Sequence, residues 1–104
     1  MSLKHSTEAQ IGQLVKALKG RDAEAVYVIV GIVDEKFVLI ADGDKRKFDQ
    51  PKRKNIQHLN LQPMISSEVV HSLQESGRVT NAKLRYAVQA FRQAEGSNAE
   101  EKGE

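Results

Sequence analysis

The chain lacks cysteine and tryptophan, contains only two prolines, and draws 5% of its 104 residues from the aromatic types. Without cysteine it can form neither a disulfide nor a thiolate metal site, and a reducing compartment is compatible with this composition. With so few rings, the core must be built from aliphatic side chains. The length and composition therefore predict one small domain with a modest core and some appended segments.

Long apolar runs are also missing. The longest one, from Ala25 to Val33, is far shorter than the roughly 20 residues that cross a bilayer. The first residues carry no apolar stretch of the signal-peptide type. These absences predict a soluble, cytoplasmic protein with no membrane contact.

What the chain does have is positive charge concentrated in one place. Its 16 cationic and 14 anionic side chains give a net charge of +2. Residues 45–54, called here the basic segment, hold six cations and one acid, a net of +5, whereas residues 95–104 hold four glutamates and one lysine, a net of −3. A local excess of cations is typical of proteins that bind polyanions, so the basic segment is predicted to contact RNA.

The first half of the chain has the pattern of short strands. Ile11 to Leu18 predicts a half-buried strand. The valine- and isoleucine-rich stretch that follows, with the turn residues around Asp34, predicts a β-hairpin over residues 24–41. Pro51 cannot donate to a central ladder, so the basic segment is predicted to be a loop.

A last short strand is predicted at Ile56 and His58, with Leu59 and Leu61 as further candidates, and Pro63 is predicted to end the β-region. The total is four to five short strands in about 50 residues. Such a sheet is expected to curl into a small barrel, because closure removes exposed edges.

The second half predicts two helices. Ser66 or Ser67 caps a helix that runs to about Ser76, and Thr80 or Asn81 caps a second one. The second has a single apolar face, formed by Leu84, Ala87, Val88 and Phe91. The helices are expected to pack on the barrel or on a partner. The predicted divisions are a flexible N-terminus at 1–10, a barrel at 11–61, a two-helix extension at 62–94 and an acidic disordered tail at 95–104.

The segment from Ile11 to Asp22, with its central Gly20, resembles the KOW motif, and residues 30–43 continue the likeness. Over residues 11–61 the chain is similar to KOW-containing large-subunit ribosomal proteins of archaea and eukaryotes and to their small bacterial relatives. The resemblance implies an α+β protein in which an SH3-like β-barrel of the KOW type precedes two C-terminal α-helices. It also implies binding to RNA, often ribosomal RNA, through loops at one end of the barrel.

Carried onto this chain, the resemblance implies RNA contacts at Lys19, Gly20 and Arg21 in the first loop. Family members often have a second glycine soon after this turn. This chain has Glu24 near that point, and a carboxylate there would repel phosphate.

Within the basic segment the cations divide by chemistry. Arginine offers a planar fork for phosphates and bases, and lysine a point charge. Phe48 either stacks on a base or is buried against the barrel, and His58 either touches RNA or is a solvated strand residue. Lys83, Arg85 and Arg92 either extend the basic surface or are ordinary solvated side chains. The predicted RNA contacts in this part of the chain are Lys45, Arg46, Lys47, Lys52, Arg53, Lys54 and His58.

Catalytic and metal motifs are not found in the sequence. Asp34, Asp42 and Asp44 do not have the spacing of a calcium loop and are interpreted as turn residues. The sequence therefore predicts a non-enzymatic RNA-binding protein linked to ribosomes or translation. Its predicted partners are RNA, above all ribosomal RNA, and ribosomal proteins, with no cofactor, metal or small-molecule substrate.

The alternative is a protein-interaction module of the transcription-elongation KOW kind. In that case Val69, Val70 and Leu73 would form an exposed docking face on the first helix.

Overall fold

A computed structural model of the chain describes residues 9–18 and 24–103, with side chains as far as Gly96. It contains one five-stranded antiparallel sheet in the order β4-β3-β2-β1-β5, followed by two helices, which confirms the predicted α+β class. The elements are β1 (Gln13–Ala17), β2 (Val26–Ile32), β3 (Phe37–Ala41), β4 (Lys52–Asn55), β5 (Leu59–Ile65), α1 (Ser67–Ser76) and α2 (Asn81–Gly103).

The sheet is open, so the predicted closure into a barrel is wrong. In the described ranges β4 and β5 are the two edges, and no ladder joins them. A short 3-10 helix at Ile56–His58, where a strand was predicted, connects them instead. Pro63 lies inside β5 rather than ending the β-region, which an edge strand tolerates because one of its sides needs no N–H donor.

Both faces of the sheet are buried, and this explains the unbroken apolar run in β2. Side chains alternate between the two faces of a strand. Val26, Val28 and Val30 lie in the cluster that includes α1 and α2. Tyr27 and Ile29 lie in a second cluster on the opposite face, formed by the strands themselves and the residues that connect them.

The helices pack on the sheet. Of the two expectations for them, packing on the β-unit or on a partner, the first is therefore confirmed. Val69 and Leu84 are fully buried, and Leu73 packs against the same cluster. The exposed docking face that the alternative function requires on α1 is therefore absent at Val69 and Leu73. The helices and one face of the sheet therefore share a single buried cluster.

Capping residues fix where the helices begin. Ser66 Oγ accepts a hydrogen bond from the Val69 N–H (3.2 Å), and Thr80 Oγ1 accepts one from the Lys83 N–H (3.1 Å). Gly77, with φ of 76°, ends α1 in the left-handed conformation that glycine adopts without strain. α2 ends at Gly103.

A cation fastens the far part of α2 to the sheet. Lys16 Nζ lies 2.5 Å from a carboxylate oxygen of Glu95, 3.9 Å from one of Glu24, and 5.7 Å from the centre of the Phe91 ring. Glu24 has a φ of 73°, which is strained for a residue other than glycine. Lys16 of β1 therefore links Glu95 of α2 to Glu24, which precedes β2. Among the described residues, no helix has the length and apolar character that spanning a membrane requires.

Candidate nucleic-acid interface

The loop between β3 and β4, residues 42–51, is called here the β3–β4 loop and holds the first half of the basic segment. Asp42 Oδ1 accepts hydrogen bonds from the backbone N–H of Asp44 (2.9 Å) and of Arg46 (2.8 Å). The Arg46 carbonyl in turn accepts from the N–H of Asp42 and of Gly43, both at 3.0 Å. These bonds close a tight turn on which Lys45, Arg46 and Lys47 are exposed, and they explain Asp42 as a turn residue.

α2 holds the β3–β4 loop from the helix side. Arg85 Nη1 donates to the Gly43 carbonyl (2.8 Å), and Asn81 Oδ1 accepts from the Phe48 N–H (2.8 Å). Gly43 has a φ of 80°, and a Cβ there would overlap the Asn81 carbonyl oxygen and lie 3.0 Å from the Leu84 Cβ. The loop therefore has a defined position on the first turns of α2, and glycine is required where the two meet.

The second half of the basic segment is a strand, and its alternation separates the cations. Arg53 pairs with Leu39 in the ladder and extends over the Phe37 ring, with its guanidinium carbon 4.2 Å from the ring centre. Lys52 and Lys54, both half-buried, are directed to the opposite face. The basic segment, predicted to be a loop, is therefore a strand from Lys52 onward. Three of its cations lie on the loop, one lies on Phe37, and two are on the other face.

Within the described ranges, five cations of the basic segment have no carboxylate within salt-bridge distance. They are Lys45, Arg46, Lys47, Arg53 and Lys54. The β3–β4 loop nevertheless carries no net charge, because the same ten residues contain three cations and three acids. The acids are Asp42, Asp44 and Asp49. A net positive potential over this loop therefore depends on cations supplied by neighbouring elements.

Asp34 serves the other turn at the edge of this region. Its Oδ1 accepts from the N–H of Lys36 (2.8 Å) and of Phe37 (2.9 Å). These two bonds, the Lys36 bond first, hold the pKa of the Asp34 carboxyl below its ordinary value, and Arg53 adds a smaller attraction. Among the described residues, no group of three His, Asp or Glu side chains is arranged to hold a metal ion.

The remaining predicted contacts have different positions. Phe48 is half-buried and packs against the helix-side core, which is the second of its two proposed roles. His58 is exposed, and its carbonyl accepts from the Leu18 N–H (3.1 Å), so it adjoins the start of the first loop. Lys19, Gly20 and Arg21 lie outside the described residues.

The contact between α2 and the β3–β4 loop was not predicted from the sequence. Arg85, Val88, Gln89 and Arg92 form one stripe of the helix, with spacings of three, four and seven residues. With Lys45 and other residues of the loop and of β2, this stripe lines a cleft of about 340 Å³. The spacing was visible in the sequence, but its neighbour across the cleft was not.

No family model matches the chain, but two known proteins are similar to it. "Putative ribosome-binding protein YbzG" of Bacillus subtilis is 46% identical over 71 residues, which are 68% of this chain and 96% of that protein. "Large ribosomal subunit protein eL14" of the archaeon Hyperthermus butylicus is 32% identical over 88 residues, which are 77% of this chain and 90% of that protein. The chain thus matches nearly the whole length of both.

Proposed function

Because the chain belongs to the family that includes YbzG and the large ribosomal subunit protein eL14, we propose that it is a non-enzymatic, ribosome-associated protein that binds ribosomal RNA through the β3–β4 loop. We further propose that the sheet is related to the SH3-like fold of KOW domains, and that the protein is located in the cytoplasm, where ribosomes are. The observation that carries it is a β3–β4 loop that is held in place by hydrogen bonds to α2 and exposes Lys45, Arg46 and Lys47. In the described ranges none of these three side chains forms a salt bridge.

The pinning supports binding because an ordered loop loses little conformational freedom when it meets its ligand. Lys45 and Lys47 supply point charges, while the guanidinium of Arg46 suits two phosphate oxygens or a base edge. Three phosphate contacts give a salt slope of roughly −2 to −3, so affinity falls roughly 20- to 40-fold between 50 and 200 mM salt. Such binding suits a protein that joins a large particle and adds contacts there.

The test is co-sedimentation with purified large ribosomal subunits, and binding to their protein-free RNA, over this salt range. The variant replaces Lys45, Arg46 and Lys47 by glutamate. Each reversal changes the charge by two, so the net charge goes from +2 to −4. Because the three side chains are exposed, the thermal unfolding midpoint should stay within a few degrees of the parent, while binding at 100 mM salt should be lost.

The control reverses Lys36, Arg78 and Lys83, which are exposed and lie outside the basic segment. It changes the net charge by the same amount. If the two triple variants lose binding equally, net charge and not the loop is responsible. If the parent protein does not sediment with subunits or bind their RNA at any salt in the range, the proposed function itself fails.

A further inference from the structure

The β3–β4 loop does not carry a positive excess alone. Its three cations are balanced by three acids within residues 42–51. The nearest additional cations in the same cleft are Arg85 and Arg92 of α2. With them, the loop and the facing stripe of α2 reach a net charge of +2.

The two arginines have different contacts. Arg85 donates one N–H to the Gly43 carbonyl and so helps to hold the loop against the helix. Arg92, two helical turns further along, is exposed and has no salt bridge in the described part of the chain. Glu95, the next acid on α2, is engaged by Lys16 and does not neutralise it.

The lining of the cleft is partly apolar. Ala25, Val26 and Val88 contribute to it alongside the charged side chains. A volume of about 340 Å³ lies at the lower end of the range for small-ligand sites. The charged lining holds three cations, Lys45, Arg85 and Arg92, and two acids, Asp42 and Asp44. Apolar side chains next to an excess of cations suit a nucleotide whose base lies on the apolar residues and whose phosphates meet the cations.

We propose that this cleft is a second half of the RNA interface, in which Lys45 and Arg92 hold the phosphates of an unpaired stretch of RNA and Ala25, Val26 and Val88 support one base. The inference rests on the proposed function and extends it to α2. Asp44, exposed in the same cleft, opposes the phosphates and weakens binding.

The experiment measures the affinity of the full chain for protein-free large-subunit RNA and for whole subunits as a function of salt. The variant is Arg92→Gln. Loss of one phosphate contact should reduce the salt slope by roughly 0.7–0.9 and the affinity at 100 mM salt by about sixfold. Asp44→Asn should act in the opposite direction and strengthen binding several-fold.

The matched control is Gln93→Glu, which makes the same change of one charge unit on the adjacent residue. Gln93 is exposed and lies about 100° around the helix from Arg92, outside the cleft. It should alter the salt slope by less than half as much as Arg92→Gln. Circular dichroism should give the same helix content for both variants.

Three results would overturn the inference. Arg92→Gln and Gln93→Glu could have equal effects, Asp44→Asn could leave affinity unchanged, or Arg92→Gln could weaken binding to subunits but not to protein-free RNA. The last result would mean that the cleft meets a ribosomal protein. The proposed function has a separate test. If the parent protein binds the RNA and the triple reversal of Lys45, Arg46 and Lys47 abolishes this binding, the proposed function stands even when the inference about the cleft fails.

Discussion

Replacement of Gly43 by alanine should separate the β3–β4 loop from α2. The added Cβ would overlap a backbone oxygen of Asn81 and crowd the Leu84 Cβ at 3.0 Å and the Arg85 Cγ at 3.1 Å. The backbone oxygen cannot rotate away as a flexible side chain would. Either the loop or the first turn of α2 must therefore move.

Two effects contribute to the loss of stability expected for Gly43→Ala. Alanine at a φ of 80° costs roughly 1–2 kcal/mol, part of which is offset because alanine restricts the unfolded chain. Steric overlap in a packed site costs a further 1–3 kcal/mol or so. The free energy of unfolding should fall by roughly 2–4 kcal/mol, which corresponds to a midpoint lower by about 10–25 °C for a domain of this size.

Gly77→Ala is the matched control. Gly77 also has a positive φ, 76°, but a Cβ there meets nothing within 4 Å. It should lose only the backbone term, roughly 1 kcal/mol. Urea titrations of both variants give the difference directly, and RNA affinity should fall for Gly43→Ala alone. Equal losses of stability in the two variants would refute the packing of this loop on α2.

Three further predictions concern the scaffold. Glu24→Gly should raise the free energy of unfolding by roughly 1 kcal/mol, because glycine relieves the strain of a φ of 73°. Glu24→Ala should not raise it, and differential scanning calorimetry compares the two variants. Because the pKa of Asp34 is lowered in the folded state, its stabilisation is present above its unfolded pKa and is lost as pH falls through the folded value. Asp34→Asn should therefore be less stable than the parent at pH 7, and urea titrations should show this difference shrinking as the pH is lowered below the unfolded pKa; a difference that stays constant with pH would contradict this. Leu84→Ala should cost roughly 3–5 kcal/mol, since Leu84 is fully buried between α2 and the sheet; a loss below 1 kcal/mol would mean that α2 does not share the core.

Features with local causes were predicted from the sequence. The hairpin over residues 24–41 follows from branched side chains and the Asp34 turn, and both appear in the structure. The helix starts at Ser66 and Thr80 were among the stated candidates because capping depends on a side chain within three residues. Such signals lie within a few residues of the element that they define.

Features that depend on distant contacts were not predicted. Composition does not separate Lys52, Arg53 and Lys54, but the ladder with β3 directs Arg53 to one face and the lysines to the other. The contact of Arg85 with Gly43 joins residues 42 positions apart and has no local signal. The open sheet likewise depends on which strands pair, and this is decided by packing across the whole chain.

The two open edges of the sheet also affect how the protein behaves in solution. An unpaired strand edge invites the edge of another molecule, and natural proteins prevent this with charges and proline. β4 carries Lys52, Arg53 and Lys54, and β5 carries Pro63. Mutual repulsion between copies should therefore protect the monomer, and substitution of the β4 cations by neutral, apolar residues should promote self-association whether or not RNA is present.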